Sequence, residues 1–274
     1  MHYAYRGWRR DWGRKNKRQC GGALVWQLND LWPVTSWALV DSSRLRKAAW
    51  YAIKRDLEPI TVGVVRTHHD WTKVNAIPST SCKLDVWIAC DGSLATAGML
   101  DSSQGTLDVE LRFVSIRTGL DVLPPQFHHA AGVKSNGTTT VCEKIILTNP
   151  AAQDAYVISA KILLGSSIIA RDVDWPQPFK YLSFEEGRGL QVRQMGSQTR
   201  IKVTAKKPTK GLIFFERQGL RFSDNCLDIV PGEEYMVDIE GLQEHEELEW
   251  TYLGKNEGHY SLAHGITTGL MNGH

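Results

Sequence analysis

The alternation of apolar and polar residues from residue 60 onward is typical of antiparallel β-structure. In residues 107–113, four apolar side chains alternate with Asp108, Glu110 and Arg112, so that one face of the segment is apolar and the other is polar. Similar but less regular segments, separated by Gly, Asn and Asp, cover residues 61–67, 82–90, 138–147 and 156–164. The pattern predicts an antiparallel β-sandwich over residues 59–177.

A second boundary falls at the Trp-Pro-Gln-Pro sequence of residues 175–178, where two prolines interrupt the alternation. Further candidate strands follow it at residues 190–194, 200–205, 212–216, 235–239 and 248–252. They predict a second, smaller sandwich over residues 178–254. Residues 255–274 are rich in Gly and His without periodicity, and we expect a flexible tail there.

The first 58 residues follow a different pattern. An Arg-rich helix is predicted over residues 3–15, and the nearly continuous apolar run of residues 21–26 predicts a strand buried on both faces. A loop rich in Trp follows over residues 27–41, and Ser42 or Ser43 is placed to cap the next helix. This order is typical of α/β structure, in which the loop after the C-terminal end of a strand lies on the functional face.

Charge and hydropathy limit the classes of partner. The net charge is +2, so we expect no nucleic acid as a partner. Residues 1–18 hold seven Arg and Lys against the single Asp11, a cluster that can mark a polyanion site. We interpret it instead as the solvated face of a helix, since such faces are common in soluble proteins. Since no apolar stretch approaches the length of about 18 residues that a membrane span needs, we expect no membrane partner either.

Cysteine usage bears on the compartment. The chain has five cysteines, an odd number without metal-ligand spacing. Cys82 and Cys90 fall on one predicted strand, about 26 Å apart at 3.3 Å per residue and therefore beyond disulfide reach. We expect reduced, buried thiols, which together with the absence of an apolar leader in residues 1–12 favour a cytoplasmic over a secreted protein.

Residues 26–33, Trp-Gln-Leu-Asn-Asp-Leu-Trp-Pro, hold the most informative side chains. Sugars are bound by this mixture, because their apolar C–H faces stack on indole rings while amides and carboxylates reach their hydroxyl groups. On residue chemistry alone, however, an aromatic core beside a turn explains the segment better, since Trp is usually structural.

A family resemblance changes that balance. Residues 22–30, Trp32-Pro33 and Ser36-Trp37 resemble the last barrel strand and following loop of the β-mannosidases of glycoside hydrolase family 2. Residues 47–55 resemble the closing helix of that barrel, and residues 5–12 resemble the preceding helix of the fungal enzymes. The resemblance implies the C-terminal end of a (β/α)8 barrel over residues 1–58, followed by two antiparallel immunoglobulin-like β-sandwich domains.

The resemblance also implies an activity: retaining, exo-acting hydrolysis of terminal β-linked mannose through two glutamates. In that family both glutamates come from earlier barrel strands. The first Glu of this chain is Glu58, and the carboxylates before it are Asp11, Asp30, Asp41 and Asp56. Among these, Asp30 alone falls in the predicted functional loop. We therefore expect no catalytic residue here, and a chain that is inactive without the missing N-terminal part of the enzyme.

A substrate site follows from the same resemblance. A β-mannoside oligosaccharide is the expected ligand, with Trp26 as a wall of the mannose pocket. The rim is assigned by position to Gln27, Asn29, Asp30 and Trp32. No cofactor and no metal are expected, and a homodimer is left open.

Two further hypotheses compete with this one. The sandwiches could act as a non-catalytic carbohydrate-binding or interaction module, which requires an exposed aromatic platform, with Trp71, Trp87 and Trp175 as candidates. A complete enzyme could instead use carboxylates of the sandwiches. The adjacent pairs Glu185-Glu186, Glu246-Glu247, His68-His69 and His128-His129 argue against the latter and against a metal site, because neighbouring side chains on a strand point apart.

Overall fold

A computed structural model describes most of the chain, and it divides the chain into two compact units. The described residues are 1–12, 20–66, 81–93, 98, 100–101, 107–148, 154–176, 179, 182–184, 187–195, 199–243 and 246–255. The first unit consists of Met1–Leu24, Ile53–Ile116 and Asp121–Leu182, and the second of Val25–Ala52, Arg117–Leu120 and Ser183–His274. Residues 1–58 are thus divided between the units, and their assignment to a barrel stays a prediction. Within the described residues, no helix is both long and apolar enough to cross a membrane.

In its described part, the first unit is formed by two antiparallel sheets. Its strands are β1 (Ile60–Arg66), β2 (Ser81–Cys90), β3 (Leu107–Ser115), β4 (Asp121–Ala130), β5 (Gly137–Thr148), β6 (Tyr156–Leu164) and β7 (Ser167–Asp174). Their orders are β1-β2-β5 and β4-β3-β6-β7. Alternate side chains of both sheets share one buried core, which includes Val62, Val64, Leu84, Val86, Ile88, Val109, Leu111, Phe113, Ile158, Ala160 and Ile162. The prediction of antiparallel sheets is confirmed.

Two strands of the first unit, β4 and β7, do not show a regular alternation of buried and exposed residues. β4 carries Pro124 and Pro125 and lies at the edge of its sheet, as β7 does at the other edge. Proline is tolerated at an edge because its missing N–H is not needed for a further strand. Much of β4 is exposed on both faces, which removes the period-two signal.

The first helix, α1 (His2–Trp12), is attached to the first unit through buried arginines. The Nη2 of Arg9 donates to the carbonyl oxygen of Glu58 at 3.2 Å, and the Thr138 hydroxyl donates to the carbonyl oxygen of Arg9 at 2.7 Å. The expectation of a solvated basic face is therefore wrong for Arg6 and Arg9, because protein acceptors replace water around each guanidinium. Arg10 is bonded to the neighbouring Asp11 at 3.0 Å. The four remaining basic residues of the cluster, with the predicted end of the helix, lie outside the described residues.

A buried network of ionisable groups adds to this attachment. The Asp172 carboxylate accepts from Arg6 Nη1 and, at 3.0 Å, from the Val64 amide, and it lies 3.1 Å from Nε2 of His2. The other ring nitrogen of His2 lies 2.9 Å from Asp56. Burial alone would raise the pKa of Asp172, but the Arg6 charge and the bond to His2 outweigh burial and hold that pKa well below its usual range.

In its described part, the second unit is also formed by two antiparallel sheets. Its strands are β8 (Gln191–Met195), β9 (Arg200–Thr204), β10 (Thr209–Phe214), β11 (Arg221–Phe222), β12 (Leu227–Ile229), β13 (Tyr235–Glu240) and β14 (Trp250–Thr251). They are ordered β12-β10-β14 and β11-β13-β9-β8. β11 and β12 were not predicted, because two and three residues are too few to show a period. The core includes Ile201, Val203, Leu212, Phe214, Phe222, Ile229, Val237 and Trp250.

The second helix, α2 (Ala48–Asp56), begins later than its sequence predicts. The Asp41 carboxylate accepts hydrogen bonds from the amides of Ser43 and Leu45 at 2.8 and 2.9 Å, which closes a turn before the helix. Within this turn Arg44 has a φ of 67°. The prediction that Ser42 or Ser43 caps the helix is therefore wrong, since those residues belong to the turn.

The apolar run of residues 21–26 does not form the predicted strand. Leu24 and Trp26 are 99% and 78% exposed. A strand buried on both faces needs a neighbour on each edge to pair its N–H and C=O groups. No neighbouring strand pairs with this run in the described part of the chain. The local pattern is compatible with a strand, but the run does not form one because it has no such pairing neighbour among the described residues.

All five cysteines lie within the described residues, and none of them is in a disulfide. Cys82 and Cys90 fall on β2, as predicted, but Cys90 alone of the five is fully buried. Burial raises the pKa of the Cys90 thiol to about 11, which keeps it protonated and unreactive near neutral pH.

Candidate functional site

Residues 26–37 of the second unit, here named the aromatic loop, expose an unusual amount of apolar surface. Trp26, Trp32 and Trp37 are 78%, 64% and 66% exposed, and Leu28 and Leu31 are also exposed. Single exposed apolar side chains are common, but a cluster of this kind marks an interaction surface.

Asp30 is the exception in this loop, because its side chain is buried and bonded within the protein. The Nζ of Lys47 donates to Asp30 Oδ2 at 2.6 Å, and the Ser36 hydroxyl donates to Oδ1 at 2.5 Å. The same Ser36 oxygen accepts from the Ala38 amide at 3.0 Å. The bonds from Lys47 and Ser36 lower the pKa of Asp30, so its carboxylate is charged at neutral pH.

Backbone hydrogen bonds fix the two sides of the aromatic loop to each other. The Asp30 amide donates to the carbonyl oxygen of Val40 at 3.0 Å, and the Val40 amide donates to that of Leu28 at 3.0 Å. The Lys47 amide donates to the carbonyl oxygen of Leu39 at 2.8 Å, which ties the loop to the residue before α2. The peptide bond between Trp26 and Gln27 is cis.

The five predicted substrate-binding residues thus share one loop, but they do not all face solvent. Trp26, Gln27, Asn29 and Trp32 are exposed, and they present indole rings and side-chain amides outward. Asp30 points inward to Lys47. The arrangement offers ring faces for stacking and amides for hydrogen bonds, while its carboxylate serves to hold the backbone.

A second buried polar group, which the sequence did not predict, is centred on Glu216. Its carboxylate accepts from Arg46 Nη2 at 2.7 Å, from Arg46 Nε at 3.2 Å and from the Tyr51 hydroxyl. The Arg46 guanidinium lies 5.0 Å from the centroid of the Trp50 ring. Burial and the bond to Glu216 raise the pKa of Tyr51 far above its ordinary value. No local signal could have revealed this group, because Arg46 and Glu216 are 170 residues apart in sequence.

The other candidate residues do not form a site in the described part of the chain. Glu246 pairs with Arg217, and His129 Nδ1 lies 2.7 Å from a carboxylate oxygen of Asp108. Among described residues, no three His, Cys, Asp or Glu side chains are grouped to hold a metal. The pairs Glu185-Glu186 and His68-His69 lie outside the described residues.

The aromatic platform of the rival hypothesis is not supported by its two described members. Trp87 is 3% exposed and Trp175 is 1% exposed, so neither ring face is available to a ligand. Trp87 instead packs against Gly63 within the first unit. The third candidate, Trp71, lies outside the described residues.

Comparison with known proteins gives matches along most of the chain. A family model described as Mannosidase Ig/CBM-like domain matches residues 82–181. β-Mannosidase B from Aspergillus flavus is 44% identical over 259 residues, which are 93% of this chain and 29% of that protein. β-Mannosidase B from Aspergillus niger is 40% identical over 258 residues, which are again 93% of this chain and 29% of that protein.

A solved structure extends the likeness to the fold. The crystal structure of β-D-mannosidase from Dictyoglomus thermophilum matches with a TM-score of 0.62 at 15% identity, over 92% of this chain and 28% of that chain. The chain spans 29% of the length of the curated relatives it matches. The resemblance stated on residues 5–55 is confirmed: this chain is similar to the C-terminal portion of the fungal β-mannosidases of glycoside hydrolase family 2.

Proposed function

We propose that this chain is the C-terminal part of a β-mannosidase, a retaining exo-glycosidase that hydrolyses terminal non-reducing β-D-mannose residues. The observation that carries the proposal is the aromatic loop, whose exposed Trp26 and Trp32 flank the inward-facing Asp30.

The loop can recognise the sugar in two ways. The exposed indole of Trp26 stacks on the apolar face of the mannose ring, and Trp32 extends that surface. The side-chain amide of Gln27 faces solvent and can bond with ring hydroxyls, and the exposed Asn29, whose Nδ2 donates to the Asp30 carbonyl oxygen at 3.2 Å, can accept from one through its Oδ1. Asp30 contributes differently: it acts through Lys47 and Ser36 to fix the backbone that presents the other four residues.

The chain alone is proposed to be catalytically inactive. Retaining hydrolysis needs two carboxyl groups about 5–5.5 Å apart, one as acid/base and one as nucleophile. Each of the four carboxylates before Glu58 is already bonded within the protein. Asp11 is bonded to Arg10, Asp30 to Lys47, Asp41 to backbone amides and Asp56 to His2. The two catalytic glutamates therefore come from a further part of the enzyme, which is the partner that the aromatic loop requires.

The test combines turnover with binding. We expect the purified chain to hydrolyse no aryl β-mannoside. It should still show saturation-transfer NMR signals from a β-mannoside, and the Trp26→Ala variant should lose them. Trp37→Ala is the matched control, since Trp37 is similarly exposed but is outside the predicted site.

Turnover that depends on Trp26 would overturn the proposed inactivity, and Asp30 would then be the first carboxylate to replace. Equal binding by the wild-type chain and the Trp26→Ala variant would overturn the assignment of the loop to mannose.

A further inference from the structure

We propose that the second unit contains a binding site for a small oxyanion, a phosphate or carboxylate group carried by a ligand about the size of a monosaccharide. The site is a cleft of about 370 Å³ between residues 44–50 and residues 216–221. Pockets for small molecules begin at about this volume. The inference is independent of the proposed mannosidase function, since it uses none of the residues assigned to mannose.

The lining of the cleft is strongly cationic. It contains the four arginines Arg44, Arg46, Arg217 and Arg221, and Glu216 is the one carboxylate among its lining residues. Such an excess of guanidinium groups around a concave surface attracts anions.

Two of these arginines are neutralised and held in place. Arg46 donates to Glu216 from its backbone amide and from two guanidinium nitrogens, and Glu216 also accepts from the buried Tyr51 hydroxyl. Arg217 donates from Nε to Glu246 at 2.6 Å and also from Nη2, which raises the pKa of Arg217. In each pair a carboxylate balances the charge of the guanidinium and limits its orientations.

The other two, Arg44 and Arg221, are exposed and have no ion pair or side-chain hydrogen bond with any described residue. Glu240 stands opposite Arg221 in the register of β11 and β13, yet the two form no ion pair. The cleft therefore carries two guanidinium groups whose donors are available to a ligand.

The backbone at Arg44 is an independent observation that points to a function. Its φ of 67° lies in the left-handed region, which costs a non-glycine residue about 1–2 kcal/mol. The surrounding turn is held in this conformation by Asp41, which accepts from the Ser43 and Leu45 amides, and by Gln218, which donates to the Ser43 carbonyl oxygen. Strain that is maintained in this way clusters at functional sites, and here it places a free guanidinium at the cleft.

The chemistry of the ligand follows from these groups. A guanidinium presents two parallel N–H donors that match the oxygens of a phosphate or a carboxylate. Two such forks, with the uncharged side chain of Gln218 and the edge of Trp50 nearby, fit an acidic sugar or a sugar phosphate. Because Arg44 and Arg221 face water, binding should weaken as salt rises.

The test is isothermal titration of the full chain with inorganic phosphate, D-glucuronate and, as a neutral control, D-glucose, at low and at high salt. We expect saturable binding of at least one anion and none of glucose. Arg44→Gly combined with Arg221→Gln should weaken it at least about tenfold, as expected for the loss of charge-assisted bonds. Glycine adopts the φ of residue 44 without strain, so this variant removes the guanidinium while preserving the turn.

Two controls separate a site from a general charge effect. Arg193→Gln removes an exposed arginine outside the cleft and should leave binding unchanged. Glu240→Gln removes the carboxylate opposite Arg221 and should strengthen binding.

Binding of phosphate alone identifies a phosphorylated ligand, and binding of glucuronate alone identifies a carboxylated one. The proposal is overturned if neither anion saturates in the millimolar range, or if the Arg193→Gln variant loses as much affinity as the Arg44/Arg221 variant. If the aromatic loop does not bind a β-mannoside, the anion titration at the cleft still tests this proposal by itself.

Discussion

The ammonium group of Lys47 lies 2.6 Å from the carboxylate of Asp30, and this pair connects the residue before α2 to the centre of the aromatic loop. Asp30 was predicted to shape a substrate rim. Its burial and its two side-chain donors place it behind the rim, where it keeps the exposed Trp26 and Trp32 on a fixed backbone.

Replacing Lys47 by Met should loosen the aromatic loop without unfolding the second unit. We expect faster hydrogen exchange at the amides of Asp30, Leu39 and Val40, because the Asp30 carboxylate then lacks its cationic partner. Lys47→Arg, which keeps the charge, is the control. Unchanged exchange in Lys47→Met would show that the backbone bonds suffice.

The same pair predicts a pH dependence. Because the pKa of Asp30 is lowered in the folded chain, its contribution is complete above the ordinary Asp value of about 3.9 and is lost as pH falls through the lowered one. Amide protection at Leu39 and Val40 should therefore fall in strongly acidic buffer. In Lys47→Met this loss should begin at a higher pH.

Replacing Arg6 by Met should strongly destabilise the first unit. The variant leaves the buried carboxylate of Asp172 without its main cation, and uncompensated buried charges cost about 3–5 kcal/mol. Urea denaturation followed by circular dichroism measures the effect. The double variant Arg6→Met/Asp172→Asn should recover part of the loss, and a purely additive result would contradict the coupling.

Adding a methyl group at Gly63 should also destabilise the first unit. A Cβ there would lie 2.2 Å from ring atoms of Trp87, and overpacking of this kind costs about 1–3 kcal/mol. Gly22→Ala is the matched control, because no atom lies within 4 Å of its added Cβ. Equal melting temperatures for both variants would mean that Trp87 can move aside.

Replacing Asn225 by Ala should destabilise the second unit by about 2–4 kcal/mol, since it leaves two buried backbone groups unpaired. The Asn225 side chain accepts from the Phe214 amide and donates to the Phe214 carbonyl oxygen, both at 2.8 Å. Asn225→Asp keeps the acceptor and removes the donor, so its stability should be intermediate. A wild-type midpoint in urea for Asn225→Ala would refute this role.

Local sequence determined the strands whose side chains alternate cleanly. β3 could be placed from its period of two, because one face of that strand is buried and the other carries polar side chains. β6 is buried on both faces for most of its length and could be placed from its less regular apolar run. β4 could not, because prolines and exposure at a sheet edge remove that period. The same limit applies to residues 21–26, whose apolar run fits a strand but has no pairing neighbour in the described chain.

For the candidate site, the sequence by itself determined which residue types occur together: two tryptophans, two amides and one carboxylate within residues 26–32. The tertiary structure decided their directions. Asp30 turns inward because Lys47, 17 residues away, supplies the charge that makes burial of its carboxylate favourable. The Glu216 group and the arginine cleft arise from residues about 170 positions apart, and no local pattern encodes such contacts. Periodicity records which face of a segment is buried, whereas ion pairs and clefts depend on which distant segments meet.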